Sequence, residues 1–263
     1  MSDLTFVVPT AGYFDVVKSL KTLRKYTPGA KIIVVDQTVD GALTNEEVKD
    51  LTEVYIRVYR TLGFSKAMNM GLNMADTKYV CCANDDVELI NEKWLDNTLS
   101  WFDKYDNLLA VNPASIKGFN GEPDHMEYKE NYTEEDWEFL NSKRDVPVRT
   151  NPNSVIDGIM TWFTVFDFDK FKTLKENDCF YDEKFYPGGG EDYDLNSRAY
   201  TKNFRMIGIF NAWAYHHWCS TRIKSKIKID KKLVWNKLGE KYNNNWRLWG
   251  VDFEIPKCTK IEI

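Results

Sequence analysis

Two short apolar runs, LTFVVPT at 4–10 and KIIVVDQT at 31–38, constrain this chain more than any other feature. Each is shorter than a helix needs and closes on turn or polar residues, the pattern of a strand covered on both faces. Between them Val16, Val17, Leu20 and Leu23 recur at helical spacing, and Pro28-Gly29 ends the pattern. Strand, helix and strand in this order make a βαβ unit with neighbouring parallel strands. Further strands are expected at VYIRVYR (54–60), KYVCCANDDVEL (78–89), LLAVN (108–112), GIMTWFTVFD (158–167), FRMIGI (204–209) and AWAYHH (212–217). Helices are expected after Ser65, after Asn91, over DKFKTLKE and from near Glu191. The expected class is α/β, with a mostly parallel central sheet flanked by helices.

The alternation breaks between about 113 and 153, where Gly, Pro and Asn punctuate the chain around one short helix near Glu134 to Ser142. A connection of that length is usually functional. It divides the chain into 1–112, 113–218 and an extension, 219–263. With 263 residues there is ample core-forming material. A net charge of −5 argues against a nucleic-acid partner. Five cysteines without a C-x-x-C spacing suggest reduced thiols and a cytoplasmic setting. No stretch approaches the roughly 18 apolar residues of a membrane span.

The polar groups gather where the strands end. Ligands of open α/β sheets bind beyond the carboxyl ends of the strands. Those ends here deliver Thr10-Ala11-Gly12, Asp36, Asn84-Asp85-Asp86 and His216-His217. Asn84-Asp85-Asp86 reads either as a polar turn or as carboxylates holding a hard divalent cation beside a diphosphate. His216 and His217, two of three histidines, read as solvated or core residues, or as ligands. A mixed oxygen and imidazole set leans towards Mn2+ over Mg2+. The stretch PGGGEDYDLNSRAY (187–200) sets three glycines before Glu191, Asp192 and Asp194. Negative charge in the first turn of a helix is one account of it.

In order and spacing, FVVPTAG, VVDQTVD, GFSKAMNMGLNMA, YVCCANDDVEL, GGGEDYDLNSR and YHHWCST resemble the nucleotide-sugar glycosyltransferases of the GT-A fold. The likeness is to inverting family 2, and the glycines before Glu-Asp are similar to a galactosyltransferase element. Departures are Asn84 at the first D-x-D position, Thr61-Leu62 before Gly63, and Tyr186-Pro187 where a Trp would stand.

The resemblance implies that 1–112 binds the nucleotide sugar and 113–218 carries the acceptor and catalytic side. Thr10, Ala11, Asp36, Lys66, Asn69, Asn84 and Asp85 would line the nucleotide, with Asp36 at the base edge. Asp86 would hold the metal with His216 or His217. Gly189 and Gly190 would let backbone approach the donor sugar. Asp192 would be the general base in a direct, inverting displacement, with Glu191 on the donor sugar. Asp194 would touch the acceptor or cap the helix, with Arg198 as its ion-pair partner. Trp162, in the strand before Asp192, and Trp218, directly after the histidines, read either as core residues or as an acceptor-side stacking face for a sugar.

The basic run TRIKSKIKIDKK (221–232) reads as a Lys-guarded edge strand, as a flap bringing Arg222 to the diphosphate, or as a peripheral contact with an anionic membrane. The implied partners are a nucleotide-diphosphate sugar, UDP-linked by preference, and a glycan or other hydroxyl acceptor. The competing classes are a nucleotidyltransferase and a non-catalytic sugar- or nucleotide-binding module. The first would want a basic phosphate loop after the first strand, where VVPTAGYFD has no cation. The second predicts loss of Asp86 or Asp192, and both are present.

Overall fold

A computed structural model of the chain describes residues 3–12, 15–39, 46–116, 133, 135, 155–157, 159–217 and 230–243. The strands are β1 (Leu4–Thr10), β2 (Lys31–Asp36), β3 (Val54–Arg57), β4 (Tyr79–Ala83) and β5 (Val87–Leu89), then β6 (Leu108–Ser115), β7 (Val155–Asp157), β8 (Phe163–Asp167) and β9 (Arg205–His216). The helices are α1 (Val16–Tyr26), α2 (Glu46–Asp50), α3 (Phe64–Leu72), α4 (Lys93–Leu99), α5 (Phe168–Lys172), α6 (Glu191–Thr201) and α7 (Lys231–Tyr242).

The nine strands of the described residues form one sheet in the order β3-β2-β1-β4-β8-β6-β9-β5, with β7 paired to β9. The expected α/β architecture is present. The first four strands in that order pair in parallel. Beyond β4 the sheet is mixed, because β8 enters antiparallel to both β4 and β6.

The apolar runs form strands because both faces are covered. Leu4, Phe6 and Val8 pack with Leu20, Leu23 and Trp94 on one face. Val7 faces the other way, with Met68 and Leu72 of α3. Adjacent Cys81 and Cys82 follow the same alternation, each into a different core. Among the described residues Cys81, Cys82 and Cys179 are free thiols.

Several boundaries differ from the sequence expectation. The 78–89 run is two strands, interrupted by a turn at 84–86. The 204–209 and 212–217 runs join in a single strand, β9 (Arg205–His216), in place of two. The 158–167 run pairs only from Phe163, after a turn at 161–162. Helix α3 starts at Phe64, with Gly63 in the capping position instead of Ser65. Gly63 adopts φ +79°, and an added Cβ would lie 2.9 Å from the Pro187 carbonyl oxygen, so only glycine fits there. Glu92 occupies the cap of α4, while the Asn91 side chain accepts from the Lys93 N–H. The expected helix near 134–142 lies outside the described residues. No described helix is long and apolar enough to cross a membrane.

Helix α3 lies close on the sheet at Gly71, where an added Cβ would stand 2.3 Å from Val7 Cγ1. Gly71→Ala is therefore expected to cost about 1–3 kcal/mol through overpacking, read as a lower denaturant midpoint.

Candidate active site

The strand register sets the first two groups side by side. Thr10 and Asp36 are partners in the β1–β2 ladder, both at carboxyl ends. Asp36 is fully buried, and its carboxylate accepts from the Thr38 N–H, the Tyr55 hydroxyl at 2.6 Å and the Arg57 guanidinium. Burial pushes this carboxyl up, and the hydrogen bonds from Thr38, Tyr55 and Arg57 more than offset that, holding it below the usual range. Gln37 reaches across the edge, accepting from the N–H groups of Leu62 and Gly63 at 2.7 and 3.0 Å.

Strand β4 ends in the Asn84-Asp85-Asp86 turn, beside β1. The Thr10 hydroxyl donates to Asp85 at 2.6 Å. Burial pushes the Asp85 carboxyl up to about 7 and neighbouring Asp86 adds to the shift, while Thr10 and the N–H groups of Asp85 and Ala11 oppose it. Asp86, 4% exposed, lies with Oδ1 3.0 Å from Nε2 of His216, itself 2% exposed. The antiparallel β5–β9 pairing makes this contact, since Val87 is registered on His216. Asn84 also reaches His216 Nε2, at 3.3 Å. Sequence left the two histidines equivalent, and the structure separates them: His217 Nε2 lies 2.8 Å from Glu88 Oε1.

The glycine loop and α6 form the other side. Gly188, Gly189 and Gly190 all have positive φ, and Gly190 holds the capping position of α6 in the left-handed region. A Cβ on Gly190 would stand 2.6 Å from the Phe185 ring and 2.7 Å from Val234 of α7. The loop meets α3 directly, with the Phe64 N–H on the Pro187 carbonyl at 2.9 Å. Asp192, in the first turn of α6, accepts from the Thr161 N–H at 2.9 Å and from the Thr161 hydroxyl, both on Oδ1. Glu191 beside it is 6% exposed.

Other expected site residues lie elsewhere. Asp194 is fully buried, held by Arg198 Nε at 2.8 Å, Lys241 Nζ at 2.6 Å and the Tyr242 hydroxyl at 2.6 Å. The acceptor contact expected of it gives way to an internal ion-pair role, and the Arg198 pairing is as read. Asn69 has its amide turned onto the Tyr181 backbone, donating at 2.8 Å and accepting at 2.9 Å. Lys66 Nζ lies 3.5 Å from Glu183. The Trp162 ring stacks on His216 at 4.7 Å and 7°, which gives one of its faces to the imidazole instead of a sugar. Trp218, Arg222 and the 221–229 part of the basic run lie outside the described residues.

Sequence reasoning missed Thr161, Gln37, Tyr55 and Arg57. The last two alternate on β3 and could have been suspected, because a strand paired in parallel beside Asp36 must present something to it. Thr161 left only a weak trace, a polar residue opening an apolar run.

Comparison with known proteins places this geometry. Structures with the same fold are glycosyltransferases of the GT-A type. TarS residues 1–349 from S. aureus, in complex with UDP, superposes with a TM-score of 0.53 at 20% identity, over 81% of this chain and 59% of that one. The mannosyltransferase PcManGT from Pyrobaculum calidifontis, with GDP-Man and Mn2+, gives 0.57 at 15% identity, over 85% and 60%. GalNAc-T7 with UDP, GalNAc and Mn2+ gives 0.58 at 14%, over 81% and 43%. The chain thus spans less than two thirds of the length of these proteins. No curated protein sequence matches it. Residues 7–172 match the profile of glycosyl transferase family 2, and the chain belongs to that family.

Arg198 also donates to the Leu174 and Phe180 carbonyls, so it closes a buried network under the first turn of α6. Arg198→Met is expected to cost about 3–5 kcal/mol, since it leaves a buried carboxylate undercompensated. The check is chemical denaturation of the purified variant.

Proposed function

We propose that the protein transfers a sugar from a nucleotide-diphosphate donor, a UDP-sugar by preference, to an acceptor hydroxyl with inversion. One observation carries this reading. The two chemical groups it needs are fastened to the same short segment, 159–162. Thr161 holds Asp192, while the next residue accepts the Asn84 N–H on its carbonyl at 2.8 Å and stacks on His216. The base and the carboxylate–imidazole pair therefore share one rim of the sheet.

Asp192 is the group that takes the acceptor proton as its oxygen attacks the anomeric carbon, and Glu191 lies next to it for the donor sugar. Thr10, Ala11 and Asp85 line the nucleotide side. Asp36, through its Arg57 and Tyr55 partners, sets the base end. The acceptor is a glycan or another hydroxyl compound. In this reading 1–112 forms the donor half, 113–218 the acceptor and catalytic half, and 219–263 an extension.

The residues fit a divalent cation. Asp86 and His216 offer one carboxylate oxygen and one imidazole nitrogen 3.0 Å apart at neighbouring strand ends. Among the described residues no group of three or more His, Cys, Asp or Glu could hold a metal by itself. Two protein ligands, with diphosphate and water completing the shell, is a known arrangement for such ions. The mixed donor set favours Mn2+ over Mg2+, the ion named for PcManGT and GalNAc-T7. When bound, the cation would offset charge on the leaving diphosphate as a Lewis acid.

Thermal shift with UDP and GDP, with and without Mn2+, tests the donor side: one nucleotide should raise the melting temperature in a metal-dependent way. His216→Ala should abolish the metal-dependent part and His217→Ala should retain it. No nucleotide effect at saturation would defeat the reading. Asp192→Asn should keep nucleotide binding and lower transfer by about 10²–10⁴-fold, measured as nucleotide release from the preferred donor.

A further inference from the structure

We infer that Thr161 is a positioning residue for the base, setting the direction of the Asp192 carboxylate; this rests on the reading of Asp192 given above. Two donors of one residue, its N–H and its hydroxyl, converge on the same oxygen, Oδ1. A carboxylate held at one oxygen by two donors from a fixed backbone position loses rotation about both of its side-chain bonds. Its other oxygen is then aimed by geometry before substrate arrives, and proton transfer depends on such aim. Thr161 is 2% exposed, so water does not compete for these bonds.

The segment carrying Thr161 is itself fixed to α6 at a second point. The Asn196 side chain accepts from the Ile159 N–H at 3.0 Å and donates to the Ile159 carbonyl at 2.7 Å. The same amide donates to the Asp192 carbonyl at 2.7 Å. Asp192 and Asn196, four residues apart, lie on one face of the helix. The helix thus grips the segment at 159 and at 161, one turn apart. Since residue 162 is tied to the Asn84 N–H and His216, Thr161 also fixes where the base lies relative to the Asp86–His216 pair.

The test compares Thr161→Val, which keeps the shape and the N–H but removes the hydroxyl, with Thr161→Ser, which keeps both donors. UDP-sugars and GDP-mannose are supplied with Mn2+, and turnover is read as nucleotide release alongside UDP affinity and melting temperature. Expected is a roughly 10–100-fold lower kcat in Thr161→Val, less than the roughly 10²–10⁴-fold of losing the general base itself. UDP affinity should be unchanged, and Thr161→Ser should lie within a few-fold of wild type. In an Asp192→Asn background Thr161→Val should cause no further loss, because the group it positions is gone.

Wild-type kcat in Thr161→Val, with Asp192→Asn inactive, overturns the inference and leaves the base assignment standing. An active Asp192→Asn overturns the base assignment itself. Equal falls in kcat and UDP affinity with a lowered melting temperature would mark Thr161 as merely structural and also overturn the inference. A crystal structure of Thr161→Val gives a readout that needs no turnover. An Asp192 carboxylate rotated from its native direction supports the inference, and an unmoved one overturns it.

Discussion

A carboxylate withdrawn from water must be met by a cation or by several hydrogen bonds, and four of the described aspartates are withdrawn in this way. Asp36 and Asp194 are fully buried, while Asp85 and Asp86 are 6% and 4% exposed. The first two are satisfied from within the fold. Arg57 and Tyr55 close on Asp36 and so tie β3 to β2; Arg198, Lys241 and Tyr242 close on Asp194 and so tie α7 to α6. Asp85 is treated differently. It accepts from the neutral Thr10 hydroxyl and from the N–H groups of Asp85 and Ala11, and burial together with the neighbouring Asp86 carboxylate pushes it up to about 7. Two adjacent carboxylates kept at a strand end in this way form a place where added positive charge is stabilised, and that separates the site from the structural ion pairs.

The opposing faces of the site are joined by contacts made mostly through backbone, which is why they can be rigid. The Asn84 N–H meets the 162 carbonyl, the Phe64 N–H meets the Pro187 carbonyl, and the His217 N–H meets the Asp86 carbonyl at 3.0 Å. Each bond links two elements that lie far apart in sequence. The run of positive-φ glycines at 188–190 serves the same end. It lets the chain pass beside Phe64 and Val234 with no side chain in the way and still enter α6 with Asp192 in the first turn.

How much of this was legible in the sequence depended on the range of the interaction. Strands buried on both faces appear as unbroken apolar runs, so β1, β2 and β4 and the polar groups at their ends could be read directly. Direction could not: nothing in FTVFD says that β8 runs antiparallel to its neighbours, because an apolar strand is equally apolar in both senses. Asn69 and Asp194 occupied motif positions that suggested ligand contacts. Their partners, the Tyr181 backbone and Lys241, lie 112 and 47 residues further on, beyond any local pattern. His216 and His217 were indistinguishable as letters. Only the β5–β9 register, which faces one to Asp86 and the other to Glu88, separates them.

The C-terminal helix α7 has a part in the site that its distance in sequence disguises. Its Trp235 meets the Tyr193 ring edge-on at 5.0 Å, directly after Asp192, and Lys241 and Tyr242 reach the carboxylate of Asp194, the next residue. The first turn of α6 is therefore clamped from two sides, by the 159–162 segment on Asp192 and by α7 on Tyr193 and Asp194. A helix N-terminus left to itself frays, because its first N–H groups have no partner within the helix. A carboxylate placed there keeps its position when tertiary contacts supply the restraint, and in this fold they come from the 159–162 segment and from α7.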